Sequence, residues 1–142
     1  MKKYPLLIGT ILFLILSVLN GCLGPEGTTV ENPFKGITFE SSVVELINAS
    51  LDVIKENNVI RKVEVRYLFR NIAGRSVEVS VMVEFYDKNN NLLITRGPKH
   101  IEIPKGYAET LPYSPANIIT YSGDKVSEVD HVRIIATEEI NP

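Results

Sequence analysis

Two segments in the middle of the chain alternate apolar and polar residues with a period of two. They span residues 63–69 and 77–86, and Leu68 is the exception to the alternation. This period is typical of half-buried antiparallel strands, because successive side chains of a strand point to opposite faces of the sheet. The residues predicted to face a core are Val63, Val65, Tyr67, Phe69, Val77, Val79, Val81, Val83 and Phe85.

Turn-forming residues separate these two strands and punctuate the segments that follow. Residues 71–75 (NIAGR) have the length of a hairpin loop, and residues 87–91 (DKNNN) tolerate left-handed backbone. Gly97-Pro98 and Pro104-Lys105-Gly106 are expected to break the chain again. The remaining predicted strands span residues 92–95, 99–103, 107–112 and 129–137, and the last of them turns Val132, Ile134 and Ala136 to one face.

Residues 41–58 fit two different patterns. Four aliphatic residues recur at helical spacing: Val44, Ile47, Leu51 and Ile54. Ser42 and Glu45 can form a capping box at the start of a helix. However, the segment is rich in β-branched residues, and residues 55–58 (KENN) suit a hairpin loop. We favour strands, because every later segment is β and a lone helix needs an open sheet face. The predicted fold is an all-β antiparallel sandwich, and the alternative is an α+β fold with one helix around residues 42–57.

The N-terminal residues have a third pattern. Lys2 and Lys3 precede a mainly apolar run over residues 6–19, which Asn20-Gly21-Cys22 follow. A basic start, an apolar stretch and a small residue before the cut are typical of a secretory signal. The run is shorter than the ~20 apolar residues that a spanning helix needs. An uncleaved anchor that continued to Leu23 would include Asn20 and Gly21.

The string Leu19-Asn20-Gly21-Cys22 resembles the lipobox of prokaryotic lipoproteins, in which an aliphatic and two mostly small residues precede the lipidated cysteine. Asn20 stands where the family usually has a small residue. The resemblance implies cleavage between Gly21 and Cys22 and a thioether from Cys22 to a diglyceride-type lipid. Two acyl chains suffice for stable anchoring, since each buried CH₂ contributes about 0.8 kcal/mol. Cys22 is the only cysteine, so the chain cannot form an intrachain disulfide.

The predicted cleavage divides the chain into a signal peptide, a tether and a domain. The signal peptide is residues 1–21, the glycine- and proline-containing tether is residues 22–36, and the β domain is residues 37–142. Cleavage removes two of the 15 Lys and Arg and none of the 17 Asp and Glu, which leaves 121 residues with a net charge of −4. An acidic domain is a poor nucleic-acid binder and does not adhere to an anionic membrane, so the lipid must provide the anchoring.

Residues 77–91 (VEVSVMVEFYDKNNN) carry a second resemblance. They resemble the FxLYD-type and related immunoglobulin-like domains of prokaryotic lipoproteins. Phe85-Tyr86-Asp87 matches the family's strand end, Leu92-Leu93-Ile94 its aliphatic strand, and Pro104-Lys105-Gly106 its proline-glycine turn. Glu64-Val65-Arg66 stands where the family has a glycine early in a strand. The resemblance implies an immunoglobulin-like antiparallel β-sandwich outside the cytoplasm, and it implies no catalytic activity.

The residues that could carry chemistry form no recognisable catalytic motif. The chain has no nucleophile elbow, phosphate loop or HExxH motif, so we expect no enzyme activity, no cofactor and no metal. The turn at residues 87–91 begins like a calcium loop, but Leu92 and Pro98 stand where an EF-hand needs glycine and glutamate, which favours a hairpin turn. His100 and His131 have charged neighbours and are expected to face solvent.

Two further features are candidate surface sites. Asn48-Ala49-Ser50 is an N-glycosylation sequon, which makes Asn48 a possible glycosylation site. Tyr107, Tyr113 and Tyr121 cluster late in the chain and form a possible interaction surface, since tyrosines in adaptable loops suit recognition. Tyrosines also cap β-sandwich cores with the hydroxyl outward, which is the alternative role for these three.

The function expected from these patterns is that of a non-catalytic binding or structural module. It would be held by the lipid on Cys22 at the extracytoplasmic side of the cell membrane, with an envelope protein as partner. The alternative is a lipoprotein that binds a small solute and works with a transporter. A ligand site of that kind needs a concave pocket with converging polar groups. A deep apolar pocket would favour the solute binder, and a flat aromatic patch near residues 107–121 would favour the module.

Overall fold

The structure, a computed structural model, describes residues 34–106 and 115–140, and these fold into seven strands in two sheets. The strands are β1 (Ile37–Glu40), β2 (Val44–Glu56), β3 (Val59–Asn71), β4 (Val77–Tyr86), β5 (Leu92–Ile103), β6 (Ile118–Tyr121) and β7 (His131–Glu138). Two single 3-10 turns, Pro115–Asn117 and Val126–Glu128, are the helical segments of the described part. The predicted all-β sandwich is therefore confirmed.

The two sheets contain four and three strands. Sheet A has the order β1-β7-β4-β5, and sheet B has the order β2-β3-β6. Every pair is antiparallel except β1 and β7, which run parallel. The sandwich is antiparallel as predicted except at this one pair. A parallel pair needs a long connection, and here the rest of the domain lies between the first and the last strand.

Residues 41–58 form β2 and a tight hairpin, so the alternative helix around residues 42–57 is wrong. Asn57 and Asn58 have φ angles of 49° and 63°, as a two-residue type I′ turn requires. A register shift between Leu46 and Asn48 adds one residue to β2. This β-bulge changes the phase of the alternation, because the inward positions become 44 and 46 and then 49, 51 and 53. The extra residue puts Val44 and Leu51, which are seven positions apart, on the same face of the strand, a spacing that also fits one face of a helix.

Strand β5 runs without a break through Gly97-Pro98, where the sequence predicts an interruption. The peptide bond between these residues is cis, and a register shift between Val81 and Val83 accommodates them opposite β4. Gly97 has a φ of 116°, and a Cβ there would lie 2.5 Å from the Val81 carbonyl oxygen. The glycine therefore forms a bulge that keeps the strand continuous.

The end of the chain differs from the sequence prediction in two further places. Residues 118–121 form the short strand β6, which pairs with β3 in a region that the sequence predicts as loop. Strand β7 begins at His131, two residues later than predicted. The weak strand predicted at residues 107–112 lies outside the described residues.

The apolar faces of the two sheets pack together to form the core. All nine inward positions predicted in β3 and β4 are buried, and so are Val132, Ile134 and Ala136 of β7. Aromatic pairs join the sheets, because Phe39 lies against Phe69 and Phe85 against Tyr121, each at a ring-centroid distance of 5.5 Å. The core thus consists mainly of valine, isoleucine and aromatic side chains supplied alternately by each strand.

Candidate functional site

The predicted lipidation site lies outside the described part of the chain. Gly21 and Cys22 precede it, and Tyr107 and Tyr113 fall between its two ranges, so the roles proposed for these four residues stay predictions. Within residues 34–106 and 115–140, no helix is long and apolar enough to cross a membrane.

The sequon residue Asn48 lies on the surface. It is exposed in β2, directly after the bulge, and it pairs with Leu68 of β3. Strand β2 is an edge of sheet B. The hydroxyl of Ser50, the third residue of the sequon, donates a hydrogen bond of 2.8 Å to Asp52. The side-chain amide is therefore accessible in the folded domain, and its glycosylation stays a prediction.

Tyr121 belongs to the core rather than to an interaction surface. It is 4% exposed at the end of β6, and its ring packs against Phe85. The guanidinium of Arg96 lies 5.7 Å from the ring centroid, and the hydroxyl accepts a 3.2 Å hydrogen bond from the backbone N–H of Lys125. Gly123 sits so close that a Cβ there would lie 2.5 Å from the ring. These contacts match the core-capping alternative for this tyrosine.

The outer face of sheet A carries one histidine near each end, and the two do not meet. His131 of β7 is opposite Tyr86, whereas His100 of β5 is opposite Ser80, six residues away along β4. At about 3.4 Å per residue, that separation is about 20 Å. The two histidines therefore belong to separate clusters.

The His131 cluster connects the strands of sheet A. The imidazole stacks on the ring of Tyr86 at 5.3 Å, and Nδ1 lies 3.1 Å from Asp130. The Tyr86 hydroxyl donates a 2.6 Å hydrogen bond to Glu84, which raises the pKa of Tyr86. Arg133 of β7 lies 3.6 Å from the same carboxylate and also binds Glu40 of β1. These interactions bridge β1, β7 and β4, so the cluster has a clear structural role.

A cleft of about 410 Å³ lies beside this cluster, between the β4–β5 turn and residues 127–130. Its lining includes Asp87, Glu128 and Asp130. One oxygen of the Asp87 carboxylate accepts hydrogen bonds from the backbone N–H groups of Asn89 and Asn91, at 2.8 and 2.9 Å. The other oxygen accepts a 2.9 Å hydrogen bond from the side-chain amide of Asn91. The hydrogen bonds from Asn91 hold the pKa of Asp87 below its usual range. This carboxylate stabilises its own turn, as the hairpin interpretation expects.

The His100 cluster brings together side chains from three neighbouring chain segments. His100 Nδ1 lies 2.9 Å from a carboxylate oxygen of Glu139, which follows the last residue of β7. Glu78 of β4 completes the group, and one ligand atom from each of the three side chains lies within 4.8 Å of the other two. The sequence did not reveal this cluster, because it depends on the pairing of β4 with β5 and on the backbone contact of Glu139 with Glu78.

The outer face of sheet B carries a ladder of charges around Glu64. Its carboxylate forms ion pairs with the Lys62 ammonium at 2.6 Å and with the Arg66 guanidinium at 2.9 Å. The Arg66 guanidinium also lies 3.6 Å from the carboxylate of Asp52 in β2. The Glu64 side chain is only 12% exposed, and its hydrogen bonds to Lys62 and Arg66 lower its pKa. The ladder links neighbouring polar positions on a half-solvated sheet face.

No protein-family model matches the chain, and no match was found among curated proteins. The chain is similar in structure to the crystal structure of Campylobacter jejuni cj0090, with a TM-score of 0.47 and 14% sequence identity. The superposition covers 74% of this chain and 99% of the cj0090 chain.

Proposed function

We propose that the chain is a lipoprotein anchored through Cys22 on the extracytoplasmic side of the cell membrane. Its β-sandwich would act there as a non-catalytic binding or structural module of the cell envelope. The observation that carries this proposal is the position of the only cysteine, directly after an apolar run with a basic start. The finer family assignment, an FxLYD-like or immunoglobulin-like lipoprotein domain, is part of the same proposal and rests on residues 77–91.

The distance along the chain between Cys22 and the first strand suits an anchored module. Fourteen residues separate Cys22 from Ile37, the first residue of β1. A segment of that length can reach at most about 50 Å when fully extended. The lipid and the sandwich can therefore be separated by more than the thickness of a headgroup layer, which leaves the surfaces of the domain accessible to an envelope partner.

The shape and chemistry of the described surface favour a module over a solute binder. The cleft beside Asp87 is open and lined mainly by charged and polar residues. Small-molecule sites are typically enclosed and predominantly apolar. The apolar faces of the two sheets pack against each other and form one core cluster of buried side chains in the described part of the chain. A non-catalytic surface role fits these features better than delivery of a solute to a transporter.

Membrane fractionation tests the anchoring. The full chain is expressed in a prokaryotic host, and membrane and soluble fractions are compared for the wild type, Cys22→Ser and Asn20→Ala. We expect the wild type and Asn20→Ala to remain with the membrane, because both keep the cysteine and a permitted residue before it. Cys22→Ser should accumulate as an unprocessed precursor or appear in the soluble exported fraction. Identical processing and distribution of all three proteins would contradict lipid attachment at Cys22.

Native mass spectrometry of the detergent-released protein separates the two functional classes. A module is expected to appear either alone or with a protein partner from the same membrane. A stoichiometric small molecule that stays bound through purification would instead support the solute-binding alternative. The lipid attachment is tested separately, so failure of either part of the proposal can be recognised.

A further inference from the structure

The three side chains of the His100 cluster converge on one point of the outer face of sheet A. Ser80 is opposite His100 and Glu78 is opposite Glu102 in the β4–β5 ladder, so Glu78 and His100 are diagonal neighbours on one face. The backbone N–H of Glu139 donates a 2.8 Å hydrogen bond to the carbonyl oxygen of Glu78, which fixes the chain after β7 beside β4. The cluster is therefore positioned by backbone pairing on both sides of β4.

The set of ligand atoms is suited to a divalent transition-metal ion. Two carboxylates and an imidazole are ligands that Zn²⁺ accepts, with metal–ligand distances of about 2.0–2.2 Å. At these distances, tetrahedral ligand atoms are about 3.3 Å apart. The pair His100 Nδ1 and Glu139 already lies at 2.9 Å, and the whole set lies within 4.8 Å. Glu78 and His100 are exposed and Glu139 is half-buried, so the three side chains have room to turn toward a shared ion.

The imidazole distinguishes this cluster from an ordinary acidic patch. Ca²⁺ and Mg²⁺ prefer sites made only of oxygen ligands, whereas imidazole suits Zn²⁺ and its neighbours in the transition series. Among the residues that the structure describes, this is the one group of three His, Cys, Asp or Glu side chains close enough to share an ion.

We propose that Glu78, His100 and Glu139 bind one Zn²⁺ ion at the surface of sheet A. The ion connects the edge strand β5, the central strand β4 and the chain segment after β7. The fourth position of a tetrahedral site is left for water or for a group from a partner, as in open three-ligand zinc sites. The half-exposed His100, at 53% side-chain exposure, makes the site accessible to ions from solution. This proposal does not depend on lipid attachment.

Calorimetric titration of the full chain in detergent with ZnCl₂ tests the proposal. The Cys22→Ser variant is the parent protein, because a free thiolate is itself a zinc ligand. We expect one site that binds Zn²⁺ more weakly than a closed structural site, since its ligands are exposed. His100→Gln and Glu139→Gln should each weaken binding at least tenfold, as loss of even an outer partner of a metal ligand typically does.

His131→Gln is the matched control, because it removes the other histidine of the same sheet face. Its zinc affinity should equal that of the parent, and millimolar CaCl₂ should give no comparable binding to any of the proteins. NMR of the parent provides a measurement that needs no ligand variant, since Zn²⁺ should shift the imidazole resonances of His100 and leave those of His131 in place. Absence of a single site, or binding that survives His100→Gln, would overturn the proposal. Loss of binding in His131→Gln alone would do the same.

Discussion

Valine-to-alanine substitutions at one buried and one exposed position measure how much burial in the core contributes to the stability of the sandwich. Val83 of β4 is fully buried, whereas Val53 of the edge strand β2 is 47% exposed. Both side chains are on the inward faces of their sheets, opposite Arg96 and Val63 respectively. The variants Val83→Ala and Val53→Ala therefore share their chemistry and differ in burial.

The expected loss of stability follows from that difference. Two buried methyl groups contribute about 1.6 kcal/mol of transfer free energy, and the cavity that they leave raises the cost of Val83→Ala to about 2–3 kcal/mol. Val53 is half exposed already, and its edge strand can relax, so Val53→Ala should cost less than about 1 kcal/mol.

Urea unfolding followed by circular dichroism provides the measurement. The midpoint for Val83→Ala should fall well below that for Val53→Ala at an unchanged m-value, and its Tm should fall by about 10 °C. Equal midpoints for the two variants would refute the assignment of Val83 to the core and of Val53 to the exposed edge strand.

Three further predictions follow from the contacts of single side chains. Millimolar calcium should leave the Tm unchanged, because the Asp87 carboxylate is engaged by its own turn; a rise of several degrees that disappears in Asp87→Asn would contradict this. Because the pKa of Glu64 is lowered in the folded state, its ionised carboxylate stabilises the fold at pH values above the ordinary pKa of 4.5. This stability is lost as the pH falls through the lowered pKa of the folded state. Between pH 6 and pH 3, Glu64→Gln should therefore lose less stability than the wild type, and equal losses in the two proteins would contradict this contribution. Tyr67→Phe removes a partly buried 2.7 Å hydrogen bond to the carbonyl of Ala116 and should cost about 1 kcal/mol by chemical denaturation, so an unchanged midpoint would show that this bond does not contribute.

The faces of the central strands could be predicted from the sequence because burial imposes a period of two. The alternate positions from Val63 to Phe69 in β3 and from Val77 to Phe85 in β4 are buried as expected. The period of two is lost where a β-bulge interrupts a strand. The extra residue in β2 near Ile47 gives an apparently helical spacing, and the bulge at Gly97-Pro98 looks like the end of a strand. A local irregularity of one residue is enough to hide a continuous strand.

Features that depend on long-range pairing could not be predicted from the sequence. The four-residue strand β6 is too short for a periodic signal, and it is defined by its pairing with β3. The parallel contact of β1 with β7 joins segments 94 positions apart, as the Thr38–Val132 hydrogen bond shows. The same reason applies to the His100 cluster, whose three members are brought together by strand register. The burial of Tyr121 likewise follows from its place at the end of β6.

Mass spectrometry of the N-terminal peptide of membrane-extracted protein tests the central claim most directly. Lipid anchoring predicts a peptide that begins at Cys22 and carries the added mass of a diglyceride-type group on its sulfur. A peptide that retains Met1 and has a free thiol at Cys22 would contradict the account.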